Sequence, residues 1–245
     1  MNNFQFEDSM QHYHLELEER MNDEYLVRAI EASATGRRVL YDNHVFYWGD
    51  TYDIAPESPQ PGYIQIIREP IARAISTFYY MTDPSKGDKR YRMKIERLKN
   101  EARWDNPNGD LNVCVKLARH PEKCTSVFGE NHMTRYFCGF AKECTDPSSP
   151  EALETAMENL QKYIFVGLLE ELKDTFAMFE KLLPDFFQGA TAITIPHKNI
   201  GRSAKKAGQV TNETIELLRK WNQNDIYLYN IIVDRFRKQV KACLQ

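Results

Sequence analysis

The chain has 245 residues, with 42% hydrophobic and 27% charged side chains and a formal net charge of −3. That length suits one full domain and buries roughly 70–75% of the unfolded surface, so a core can form without staples. With only 11 glycines and 11 prolines it is not collagen-like, low-complexity or wholly disordered; no apolar run approaches the ~20 residues of a membrane span, and the start lacks the basic and apolar stretches of a signal peptide. The sequence as written reads as a soluble polypeptide.

In chain order, residues 5–31 read as a helix, with Leu15, Leu17, Met21, Tyr25, Leu26 and Ile30 on a loosely helical period. Arg38–Phe46 is a β-type run that reaches His44, and residues 55–61, with three prolines, are a loop. Tyr63–Ile67 has the character of a short buried strand of a parallel sheet. Pro70 suits the first position of the helix that follows, to about Met81. Residues 82–112 are polar, basic and irregular, and 114–144 a loop-rich insert with short helices. Ser149-Pro150-Glu151 opens a helix to about Tyr163, Ile164–Leu168 is a second buried strand, and a helix covers Glu170–Leu183. Ala192–Ile195 reads as a short strand, His197–Gly208 as a basic loop, and 212–222 and 224–242 as closing helices. Strands alternating with helices predict one α/β domain around a parallel sheet.

Charge is unevenly spread. Residues 1–31 are net −6, residues 86–103 net +5, and Lys198, Arg202, Lys205 and Lys206 form a second basic cluster. Two such clusters in a near-neutral protein favour a polyanionic ligand over ordinary solvated faces. Aromatic residues are not interleaved with these bases, which argues against nucleic acid. Cys114 and Cys124, then Cys138 and Cys144, do not fit zinc spacings, and no metal is expected. Two short-range disulfides in an oxidising compartment fit better than unrelated buried thiols, with Cys243 left free. Asn212-Glu-Thr214 is a glycosylation sequon and favours the same compartment.

The most informative segment is Tyr63-Ile-Gln-Ile-Ile-Arg68-Glu-Pro-Ile-Ala-Arg73-Ala-Ile-Ser76-Thr-Phe-Tyr-Tyr80. It is a buried strand that delivers an arginine to its carboxyl end just where a helix begins. Such strand ends bind ligands in open α/β sheets. Helix N-termini attract anions, and Arg68 adds a fork-shaped phosphate donor. Ser76 lies about two helical turns on.

This pattern resembles the site that holds the 3′-phosphate of PAPS (3′-phosphoadenosine 5′-phosphosulfate) in carbohydrate sulfotransferases. The likeness is greatest to the glycosaminoglycan uronyl 2-O-sulfotransferases, of the heparan and dermatan/chondroitin types. Tyr136-Phe-Cys138-Gly139 with Cys144 is similar to their disulfide loop, Phe165-Val-Gly167 to Ala190 to a following strand and helix, and Trp221 to Phe236 to their last helix. The resemblance implies a single P-loop-NTPase-like sulfotransferase domain over 1–245, its central parallel sheet flanked by helices, with 82–147 as a basic, disulfide-containing insert. It implies sulfuryl transfer from PAPS to the 2-hydroxyl of a hexuronic acid in a glycosaminoglycan, without a metal. His44, ending a strand beside the Arg68 strand, would be the general base, and Arg68, Ser76 and Arg202 would hold cofactor. Arg90, Arg92 and Lys198 would meet substrate. Asp42 stands where heparan-type members carry a further histidine. His12, His14, His120, His132 and His197 match no family position.

The family's loop for the 5′-phosphosulfate, of Pro-Lys-x-x-Ser/Thr type, has no counterpart before His44. The expectation is therefore a chain that begins downstream of that loop and of a type II membrane anchor, or else a catalytically inactive glycosaminoglycan-binding relative. The resemblance also implies a Golgi-lumen location and a homo-oligomer, trimeric in heparan-type relatives.

Overall fold

Phe6–Asp8 (β1) pairs in parallel with Leu40–Asp42 (β2), with Phe6 opposite Leu40 and Asp8 opposite Asp42. Tyr63–Ile67 (β3) pairs in parallel with Tyr163–Leu168 (β4), ending with Ile67 opposite Leu168. The computed structural model describes residues 6–8, 35–36, 38–42, 46–47, 49, 61–81, 110–117, 124, 130–193 and 209–244. Among these, β2 pairs with β1 and not with β3, so the expected neighbour of the Arg68 strand is instead β4.

Eight helices accompany these pairs among the described residues: α1 (Pro70–Met81), α2 (Leu111–Leu117), α3 (His132–Cys138), α4 (Pro150–Leu160), α5 (Leu172–Leu182), α6 (Pro184–Phe187), α7 (Asn212–Trp221) and α8 (Gln223–Leu244). Their starts follow capping chemistry. Ser149 Oγ accepts from Ala152 N at 3.1 Å with Pro150 at the first position of α4, and Thr211 Oγ1 accepts from Thr214 N at 3.3 Å to open α7; both satisfy amides a helix cannot satisfy itself.

Two apolar clusters hold the elements together. The larger joins Met133, Phe137, Cys138 and Cys144 to the α4 stripe Ala152, Ala156 and Leu160, to Phe165, Val166 and Leu168 of β4, and to Met178, Leu228, Ile232 and Phe236. The other packs Ile71, Ile75, Phe78 and Tyr79 of α1 on Leu111, Cys114, Val115, Cys124 and Leu218. Fully burying one such large side chain contributes about 1.5–3 kcal/mol. The buried spacing of four in α4 and in Leu228, Ile232, Phe236 is the helical periodicity already visible in the sequence.

Two expectations are corrected. Phe6–Asp8 is a strand rather than the start of a helix, because its backbone finds a partner in β2, which a local period does not register; the rest of 5–31 lies outside the described residues. Ala192 belongs to a 3-10 turn, Ala190–Ala192, rather than a strand. The cause is Glu180, whose carboxylate accepts from Gly189 N at 3.0 Å and from Thr191 N at 3.3 Å and Oγ1 at 2.7 Å. These bonds hold the Glu180 carboxyl below its usual range and gather the chain into a turn.

Candidate active site

β3 ends at the buried Ile67 and passes the half-buried Arg68 outward, just before Pro70 opens α1. Glu69 then caps the helix with its own carboxylate. Oε1 accepts from Ile71 N at 3.1 Å and Oε2 from Ala72 N at 2.6 Å. The anion expected at this helix N-terminus is thus supplied by the protein itself. Glu69 N in turn donates to Glu170 Oε1 at 2.9 Å, and the Tyr229 hydroxyl to Glu170 Oε2 at 3.3 Å. Glu170 follows β4, so these bonds bind the carboxyl ends of both strands to α8. Desolvation first, then the Glu170 charge, pushes the Tyr229 phenol up to about 12.

Ser76, half-buried, stands on the second turn of α1. Among the described residues no ion pair engages Arg68. One guanidinium fork and one hydroxyl on adjoining elements are the donor chemistry a phosphate monoester requires. A phosphate ligand here would be met by these side chains, because the first-turn amides of Ile71 and Ala72 are already taken by Glu69.

Between them lies a second arginine. Arg73 places Nη2 at 3.6 Å from Oδ2 of Asp225 in α8, with 20% of its side chain and none of the aspartate's exposed. Asp225 Oδ2 also accepts from Met133 N at 2.9 Å, and Oδ1 from Thr134 N at 2.7 Å and Thr134 Oγ1 at 2.9 Å. It thereby caps α3 from outside, where Asn131 makes no side-chain cap of its own and takes a left-handed conformation. Asn131 Oδ1 returns the favour by accepting from Asp225 N at 3.1 Å.

The far end of α3 holds the segment that follows the candidate base in sequence. Tyr47 N donates to Tyr136 O at 2.8 Å. Phe46 stacks edge-on against Tyr136 at 4.7 Å and Phe140 at 5.7 Å, with the Arg135 guanidinium over its ring. Gly139, at φ +89°, passes so close to the Tyr47 carbonyl that a Cβ would collide with its oxygen. Cys138 bridges to Cys144, and Cys114 bridges to Cys124; Cys243 is free and half-buried.

His44, Arg90, Arg92, Lys198 and Arg202 lie outside the described residues, as do His12, His14, His120 and His197. His132 begins α3 with its ring edge-on to Tyr136 at 4.6 Å. Asn212 is exposed in the first turn of α7, whereas Thr214 is buried and donates to Asn112 Oδ1 at 2.9 Å. The sequence motif contains Arg73 but assigns it no role, and neither Asp225 nor Glu170 is given one. Asp225 did leave a signal, an acid on the stripe continued by Leu228, Ile232 and Phe236. Among the described residues no cluster of metal-ligating side chains occurs and no helix is long and apolar enough to cross a membrane.

A parallel strand pair with helices packed on it makes this an α/β protein, a class whose open sheets bind ligands outside the carboxyl ends of their strands. The sulfotransferase family matches residues 13–231, and the chain belongs to that family. It is similar to the uronyl 2-sulfotransferase of Mus musculus, 28% identical over 185 residues that make up 72% of this chain and 43% of the relative. It is also similar to heparan sulfate 2-O-sulfotransferase 1 of Gallus gallus, 30% over 209 residues, 81% of this chain and 53% of that protein. With heparan sulfate 2-O-sulfotransferase hst-2 of Caenorhabditis elegans identity is 35% over 131 residues, 53% and 37% of the two chains. The chain thus spans about half the length, or less, of these relatives.

Proposed function

We propose that the protein transfers a sulfuryl group to the 2-hydroxyl of a hexuronic acid in a glycosaminoglycan of the heparan or dermatan/chondroitin kind. The observation that carries this reading is the Arg68–Ser76 donor pair on β3 and α1, in a chain of the sulfotransferase family with uronyl and heparan 2-O-sulfotransferases among its relatives. PAPS, when bound, supplies the activated sulfuryl group and a 3′,5′-ADP leaving group. Arg68 binds the 3′-phosphate as a fork and Ser76 donates to it. Arg202 adds positive charge to the same ligand, and Arg90, Arg92 and Lys198 bind sulfates and carboxylates of the polysaccharide. His44 takes the proton of the attacking hydroxyl, a task suited to a group that titrates near neutrality.

The chain acts as one P-loop-NTPase-like domain, with 82–147 as its basic, disulfide-bearing part. It works in the Golgi lumen, an oxidising compartment where disulfides persist, having met the glycosylation machinery at Asn212 as a nascent chain, and it is held there by a membrane anchor and assembled with copies of itself. The test is transfer of labelled sulfate from PAPS to desulfated heparin and to dermatan. With the 5′-phosphosulfate loop restored, His44→Ala should lower transfer by about 10²–10⁴ and leave 3′,5′-ADP affinity nearly intact. A variant that keeps more than about a tenth of the activity removes His44 from the role of base.

A further inference from the structure

We infer that Arg73 is a positioning residue for the phosphate site: paired with Asp225, it fixes the rotation of α1 about its axis and so the stance of Ser76 relative to Arg68. The inference rests on the reading that Arg68 and Ser76 hold the 3′-phosphate. Arg73 and Ser76 are three residues apart and so neighbours on one helix face. Beneath them α1 is held by Ile71, Ile75, Phe78 and Tyr79, the last also hydrogen-bonded to the Leu111 backbone at the far end of the helix. The apolar contacts around the Arg73–Ser76 turn are non-directional and leave that turn free to make small rolls.

At that turn the ion pair supplies the direction. Its aspartate cannot follow a rolling helix, because Met133 N, Thr134 N and Thr134 Oγ1 all donate to it and its own N–H is bonded to Asn131. As packing the pair is costly. A buried pair must recover the hydration of both charges, and here the Arg73 Nε is buried without a hydrogen-bond partner. An apolar side chain would fill the space more cheaply, so what the pair contributes is geometry.

The experiment is a double-mutant cycle read by calorimetry with 3′,5′-ADP, at a temperature where circular dichroism shows every variant folded. In the otherwise unaltered chain Ser76→Ala should weaken binding about tenfold, as loss of a bond to a charged group does. Arg73→Met should weaken it by a similar factor, and Ser76→Ala in that background should then cost less than about threefold, because a misplaced serine has little left to lose. Arg73→Lys, which keeps the charge beside Asp225 but not the fork, guards against failure to fold and should show the same coupling in smaller measure. Losses that simply multiply, or unaltered affinity in Arg73→Met, overturn the inference and leave the pair with a structural role alone. If instead Arg68→Ala and Ser76→Ala both bind 3′,5′-ADP normally, the phosphate-site reading itself is wrong, and the inference falls with it.

Discussion

Arg68 and Ser76 are nominated from the sequence because the motif that carries them is local: an apolar strand, a proline at the first helical position and a serine two turns later. Each should contribute about 1–3 kcal/mol to 3′,5′-ADP binding, the range for hydrogen bonds to a charged group, and calorimetry on the alanine variants measures it. Arg73 and Asp225 were not legible in this way. The bonds that fix Asp225 join residues 91 and 92 positions apart, and no spacing rule reaches that far. Tyr229 is a further residue whose state is set by the fold, by burial first and by Glu170 after it. Its phenol is raised from 10.0 to about 12, so the folded chain favours the neutral form. The stabilisation this represents is complete below pH 10 and is lost as pH rises toward 12. Urea unfolding across that range should show the loss in the unaltered chain, and Tyr229→Phe should lack that part of it.

Among the elements, β3, α1, α4, β4, α5, α7 and α8 lie close to where periodicity and capping residues put them, since each carries its own apolar stripe or cap. The short α3 does not announce itself, because its cap arrives from Asp225 in α8 and its C-terminal turn from a glycine. That glycine is the element's most sensitive point. Gly139→Ala would place a methyl group against the Tyr47 carbonyl and a non-glycine residue at φ +89°, which together should destabilise the fold by about 1–3 kcal/mol, measurable as a lower urea midpoint. The Cys138–Cys144 bridge behind it restrains the same turn, and closing so small a loop contributes on the order of 2–3 kcal/mol by the chain-entropy account. Reduction should therefore loosen the attachment of Phe46 and Tyr47 before it disturbs β3 and β4. The β1 and Ala190–Ala192 segments were misread for the complementary reason: their conformations are imposed by β2 and by Glu180, and their own residues carry no matching period.

At the scale of the whole molecule, α8 is the member that makes the two clusters act together. Its apolar stripe belongs to the larger cluster, while Asp225 reaches α1 of the other. The Cys114–Cys124 bridge and the Asn112 side chain bring α2 into that second cluster beside α7. Asn112 Oδ1 accepts from Thr211 N at 2.9 Å, from Thr211 Oγ1 at 3.2 Å and from Thr214 Oγ1 at 2.9 Å.

That corner has a consequence for the order of events in the protein's maturation. The sequon is read through the Thr214 hydroxyl as well as the Asn212 amide, and in the finished fold Thr214 is wholly buried and turned inward onto Asn112. Were a glycan attached at Asn212, as the proposed lumenal placement entails, attachment would have to come first and folding of this corner second, so the two would compete while the nascent chain is still open. Chain that has already folded, presented to microsomal glycosylation enzymes, should gain no glycan at Asn212, whereas the same chain synthesised in their presence should. Asn112→Ala, by delaying closure, should raise the occupied fraction seen by mass spectrometry. Equal occupancy in folded and nascent chain would show that α7 opens readily enough for the race never to be run.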